Sequence, residues 1–144
     1  MFHLGEVMDK NKANNLSPVV LAFVGDAVYS LFVRERLTFK SDSKTGELNK
    51  MTIKEVCASA QASFVRKIET LFTEEELNVF KRAKNAKKST RSKSASIVDY
   101  NLSTGFEAVL GYLYLTGNLE RLNYLLNGGE QNESWRKKLG LRTT

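Results

Sequence analysis

Apolar positions recur at helical spacing along most of the chain, and no stretch reads convincingly as a strand. Ser17-Pro18 has the form of an N-cap followed by proline at the first helical position. From there Val19 to about Arg36 is apolar nearly all round, with Leu21, Val24, Val28, Leu31 and Phe32 in helical register. A helix with apolar residues on every face belongs at the centre of a domain, so this segment is read as the core helix. A polar turn, Lys40 to Lys44, precedes one long helical pattern from about Gly46 to Phe72, carried by Leu48, Met51, Val56, Ala60, Phe64, Val65 and Ile68. Small residues between Ala58 and Ser63 would let another helix approach it closely.

Thr73-Glu74-Glu75-Glu76 has capping-box spacing and should open a short helix through roughly Lys84. Residues 84–96 are polar, basic and serine-rich and read as a mobile loop. A second strongly apolar helix falls within Ile97 to Leu115 and stops near Thr116-Gly117. Asn118 caps a helix through Leu126 that Gly128-Gly129 closes, and a last short helix around Glu133 to Leu139 carries Trp135. The expectation is an all-α helical bundle. At 144 residues the chain has a one-domain length, and residues 1–144 are read as a single domain.

Composition narrows the chemistry. Cys57 is the single cysteine and sits among small helical residues, a packing position, while His3 is the single histidine. Histidine-based zinc sites, Ser-His-Asp triads and Cys-His pairs are therefore excluded. The N-terminus lacks a secretory signal, and the Val19–Val33 run is broken by Asp26 and too short for a bilayer, so the expected location is the cytoplasm. The net charge of +6 favours a polyanionic partner.

Two acids lie where acids are costly. Asp26 falls among Phe23, Val24, Gly25, Ala27 and Val28, and Glu107 among Gly105, Phe106, Ala108, Val109 and Leu110. A carboxylate in apolar surroundings must be paired, hydrogen-bonded or ligated to a metal. The plainer reading is that each is buried against an arginine or points through a gap to solvent. Taken together, two hard oxygen ligands from two helices suit Mg²⁺, which uses one or two protein carboxylates and fills its octahedron with water and phosphate oxygens. Such a site serves phosphoryl displacement without histidine or cysteine.

A basic stretch complements the acids. Lys81, Arg82, Lys84, Lys87, Lys88, Arg91 and Lys93 place seven positive charges in thirteen residues, with no acid between Glu76 and Asp99 and no aromatic between Phe80 and Tyr100. Serines and Thr90 are interleaved. Without aromatics to stack on bases, such a segment favours gripping a nucleic-acid backbone. A solvated surface loop is the plainer alternative. Tyr112 and Tyr114 read as core or interface residues.

These residues resemble a known family. Leu21-Ala22-Phe23-Val24-Gly25-Asp26-Ala27-Val28 is similar to the signature helix of ribonuclease III domains, Leu-Glu-x-Leu-Gly-Asp-Ala/Ser-hydrophobic. Phe106-Glu107-Ala108-Val109-Leu110-Gly111-Tyr112-Leu113-Tyr114-Leu115 is similar to the family's second acidic helix. The resemblance spans about residues 16–126 and implies a ribonuclease III endonuclease-domain bundle in which Asp26 and Glu107 are the metal-binding catalytic acids. Val19, Ala22 and Thr104 stand where many members have acids, which removes the outer ligands and leaves the core pair. The short remainder after Gly117, with Ser103-Thr104-Gly105-Phe106-Glu107-Ala108, resembles the Mini-ribonuclease III subfamily, which lacks a separate double-stranded RNA-binding domain. What this implies is a homodimeric, Mg²⁺-dependent endoribonuclease that cuts double-stranded RNA to leave 5′-phosphate ends. Its expected substrate is the large-subunit (23S) ribosomal RNA precursor, and a ribosomal protein is allowed as helper. The basic residues from Lys81 to Lys93 then become the RNA clamp. The missing outer acids keep a second reading open, a non-catalytic duplex-RNA-binding member acting in ribosome assembly. A third is a helical adaptor whose two acids pair with arginines.

Overall fold

The computed structural model describes residues 5–87 and 96–130, and every described element is helical. Seven α-helices follow in order: α1 (Lys10–Asn15), α2 (Pro18–Lys40), α3 (Thr45–Val56), α4 (Ala58–Ile68), α5 (Glu74–Asn85), α6 (Ile97–Leu115) and α7 (Leu119–Leu126). A 3₁₀ turn, Glu69–Leu71, joins α4 to α5. The all-α expectation is met. The helix expected around Glu133 to Leu139, with Trp135, lies outside the described residues, as does most of the 84–96 loop.

The centre of the bundle is α6. Every residue from Ser103 to Leu113 is buried except Glu107, and α2, α4 and α5 all pack against this helix. Apolar periodicity assigns the central place to α2, and here the structure differs. Both helices are apolar nearly all round, but α2 leaves Val19, Val20, Phe23 and Leu31 exposed, with Phe23 79% accessible. No described element of the chain covers that face.

The long helix expected over 46–72 is two helices broken at Cys57, whose backbone is extended (φ −67°, ψ 157°). No proline or glycine announces the break. Buried Gln61 supports it instead, donating from Nε2 to the Val56 carbonyl at 2.8 Å and so satisfying a group that the bend orphans. Cys57, expected as a packing residue, is exposed at this corner. The small residues that follow it do permit close packing, with Ala62 fully buried in a helix that rests on α6.

Caps are more legible. Thr73 and Glu76 form the reciprocal capping box, the Glu76 amide donating to Thr73 Oγ1 at 3.1 Å and the Thr73 amide to Glu76 Oε1 at 3.0 Å. Ser96 and Asn118 cap α6 and α7 through their side chains. At the end of α7 the Gly128 and Gly129 amides bond back to Leu125 and Tyr124, with Gly128 at φ 72°, a left-handed stop that favours glycine. Helix α1 is an addition to the elements expected from the sequence. It is a single six-residue segment capped by Asp9, whose carboxylate accepts from the Asn11 amide at 2.7 Å.

Candidate active site

The site begins at a place where two backbones touch. A methyl group built on Gly25 would lie 1.6 Å from the Glu107 carbonyl oxygen, and one on Gly111 would lie 2.0 Å from the Leu21 carbonyl oxygen. Only hydrogen fits at either position, so α2 and α6 cross in direct main-chain contact. Asp26 immediately follows the first of these glycines and Glu107 lies one turn before the second. The crossing therefore sets the two carboxylates face to face. In the sequence Gly25 and Gly111 stand only as letters of a motif. Their function is steric, and the signal is a glycine inside each apolar helix, where helix propensity alone would disfavour it.

The two carboxyl groups lie within hydrogen-bonding reach of each other. Burial pushes the Glu107 carboxyl up to about 9, and the hydrogen bond with Asp26 and its charge push in the same direction. Asp26 lies on the open side of the pair and is itself exposed. The expectation of two buried acids thus holds in part for half-buried Glu107 and is corrected for Asp26. Among the described residues no lysine or arginine pairs with either acid, which removes the reading in which each is buried against an arginine.

No third acid, cysteine or histidine joins them among the described residues. Ala22, one turn before Asp26, is buried, and Val19 is exposed. Thr104, one turn before Glu107, donates its hydroxyl to the Tyr100 carbonyl at 2.8 Å, as Ser103 does at 2.9 Å. Neither hydroxyl proton is directed at the carboxylates. A pair of hard oxygen ligands held by rigid backbones, with its outer side open, fits an octahedral cation that retains most of its water.

Of the basic residues, Lys81, Arg82 and Lys84 lie on the last turns of α5 rather than on a loop, and Lys87 follows the helix end. Lys88, Arg91 and Lys93 lie outside the described residues. Lys84 Nζ sits 5.7 Å from the centre of the Phe80 ring. Phe80 in turn packs so tightly on α6 that a methyl group on Gly105 would come within 2.7 Å of it. The start of the basic stretch is thereby fastened to the segment of α6 that carries Glu107. Tyr112, expected in the core, is buried and donates its phenol hydrogen to Glu75.

Known proteins share the sequence and the fold of this chain. The Ribonuclease III domain family matches residues 19–118. The chain is 45% identical over 126 residues to the Mini-ribonuclease 3 of Clostridium tetani, covering 87% of this chain and 83% of that protein. It is 47% identical over 109 residues to that of Brevibacillus brevis, covering 76% and 81%. A crystal structure of a protein from Fusobacterium nucleatum superposes with a TM-score of 0.71 at 32% identity, covering 78% of this chain and 90% of the other. The chain belongs to the ribonuclease III family, within its Mini-ribonuclease 3 group, and is an endoribonuclease.

Proposed function

We infer that this endoribonuclease cuts double-stranded RNA in the cytoplasm at the Asp26–Glu107 pair, with Mg²⁺ as cofactor, and that its substrate is the 23S ribosomal RNA precursor. The observation that carries the reading is the pair itself, brought together at the Gly25–Gly111 crossing with Glu107 held well above the carboxylate range. Two carboxylates that repel each other in a partly buried site are neutralised by a divalent ion, so Asp26 and Glu107 are the residues that would hold it. When bound, such an ion lowers the pKa of water and stabilises charge in phosphodiester hydrolysis.

The protein's own part is positional. The glycine crossing fixes the separation of the two carboxylates, and the buried surroundings of Glu107 keep it from turning outward to solvent. The basic residues from Lys81 to Lys93 grip the A-form backbone through phosphates and 2′-hydroxyls, so recognition follows shape more than sequence. Homodimerisation is proposed through the exposed apolar face of α2, where Phe23 is 79% accessible. Each protomer then cuts one strand, leaving a 5′-phosphate.

The test is incubation with a long RNA duplex, with and without millimolar Mg²⁺, beside Glu107→Gln and Asp26→Asn. Cleavage by the unaltered protein alone is expected, with both variants folded and still binding duplex. Undiminished Mg²⁺-dependent cutting by either variant overturns the assignment. Binding without cutting by the unaltered protein would favour the non-catalytic RNA-binding reading.

A further inference from the structure

A second concentration of charge lies further along α2. A cavity of about 200 Å³ opens between α2, α3 and α4, and among its lining residues are Tyr29, Arg36, Lys54, Glu55, Ser63 and Lys67. Three cations thus face one carboxylate. Arg36 is held on one side by its ion pair with Glu55 and lies over the Phe32 ring, 5.5 Å from its centre. Its Nε–H is buried and has no hydrogen-bond acceptor among the described residues. The guanidinium therefore adds fixed positive charge to the wall of the cavity. Lys54 and Lys67 have no acidic partner among the described residues. With Ser63 they complete a set of donors that suits a tetrahedral oxyanion. The volume accommodates a phosphate group with its bridging waters.

Position identifies what carries that phosphate. Asp26, Tyr29, Val33 and Arg36 recur at 3-, 4- and 3-residue steps and therefore lie along one stripe of α2. Arg36 is ten residues beyond Asp26, about 15 Å along the helix axis at 1.5 Å per residue. Between them the stripe is closed by buried Tyr29 and Val33. The Tyr29 ring meets Phe106 edge-on at 5.2 Å, and Phe106 immediately precedes Glu107. A strand lying across the carboxylate pair would reach the cavity within a few nucleotides.

We propose that this Arg36–Lys54–Lys67 cavity seats a backbone phosphate of the substrate duplex away from the scissile bond. Its cations come from α2, α3 and α4 rather than from the end of α5, and it fixes how far the duplex advances over Asp26 and Glu107. The proposal rests on the reading of duplex RNA as substrate.

The experiment measures duplex binding by fluorescence anisotropy in EDTA across 25–200 mM salt, for the unaltered protein and for Lys54→Ala/Lys67→Ala. Both lysines are exposed, and an unchanged unfolding midpoint would verify that the variant is folded. The double variant is expected to bind about tenfold more weakly at low salt. Its slope of log affinity against log salt should flatten by about 0.9 for each phosphate it no longer neutralises. A slope and affinity unchanged from the unaltered protein overturn the proposal. Failure of the unaltered protein to bind duplex overturns the substrate reading and the cavity assignment with it. A parallel arm titrates inorganic phosphate and follows thermal stability. If phosphate stabilises the unaltered protein but not the variant while the RNA slope stays the same, the cavity serves a free phosphate and the RNA assignment is overturned.

Discussion

Replacing Glu107 by glutamine should make the metal-free protein more stable, by an amount that grows with pH. The Glu107 carboxyl has an ordinary value of 4.5 and is raised to about 9 in the folded chain. Below pH 4.5 the group is protonated in both states and costs nothing. Between 4.5 and 9 the folded state retains a proton that the unfolded chain has released, so stability falls as pH rises. Above about 9 the loss levels off. At pH 7.5 the solution is three units above the unfolded value of 4.5 while the folded group is still protonated, worth about 4 kcal/mol at roughly 1.4 kcal/mol per unit. Water reaches the pair from the Asp26 side, and screening there brings the expected penalty nearer about 2 kcal/mol. Glutamine keeps the shape and cannot ionise.

Urea unfolding in EDTA at pH 5, 6, 7 and 8 measures the difference directly. The Glu107→Gln variant should match the unaltered protein near pH 5 and exceed it by about 2 kcal/mol at pH 8. Asp26→Asn removes one of the causes while burial remains, so its curve should fall between the two. If Asp26 and Glu107 hold Mg²⁺ as proposed, adding it should reverse the order, because it would stabilise the folded unaltered protein by mass action and would lose one ligand in the variant. Parallel curves for the unaltered protein and Glu107→Gln across this pH range would refute the argument. On the proposed catalytic role of Glu107, activity carries a stability cost that the glutamine variant relieves, a trade expected at catalytic sites.

Two further substitutions test the frame. Gly25→Ala places a methyl group 1.6 Å from the Glu107 carbonyl, so α2 and α6 must separate. The variant should lose about 3 kcal/mol or more in urea unfolding and lose cleavage as well, whereas a fully active, equally stable variant would remove the crossing from the explanation. Arg121 binds both Glu76 carboxylate oxygens, at 2.8 and 2.9 Å, while Glu76 is only 3% exposed. Arg121→Ala strands that charge and should cost about 3 kcal/mol, most of it recovered when Glu76 is also changed to glutamine. Equal stability of Arg121→Ala and the unaltered protein would show the pair to be dispensable.

The parts of this structure legible in the sequence are those governed by neighbours along the chain. Ser17-Pro18, the Thr73–Glu76 box, Asn118 and Gly128-Gly129 place helix ends correctly because caps act over three or four residues. Helix α6 spans Ile97–Leu115, the limits its apolar run suggests. The break at Cys57 is hidden, because α3 and α4 share one periodicity and the bend depends on Gln61 reaching back five residues to Val56. The choice between α2 and α6 as central helix is hidden for a different reason. Periodicity reports how many faces are apolar but not which of them another element covers. For the site, both carboxylates stand out in the sequence as anomalies. That Asp26 is the open member and Glu107 the enclosed one follows from the packing around α6 alone, as does the oxyanion cavity, whose cations come from three helices.

The exposed face of α2 bears on the carboxylate pair directly. Val20, Phe23, Ala27 and Leu31 are all exposed and recur at three- and four-residue steps, forming an apolar stripe down the helix. Asp26 lies three residues after Phe23, on the adjoining row. A partner protomer seated on this stripe would therefore lie beside the Asp26–Glu107 site and border its entrance. Association and cleavage should then fail together. Phe23→Glu is expected to yield monomers by analytical ultracentrifugation, with normal helicity and greatly reduced cutting of duplex RNA. A Phe23→Glu protein that remains dimeric would move the interface off α2. A monomer that cuts at the full rate would instead separate assembly from catalysis, leaving the crossing of α2 and α6 sufficient by itself.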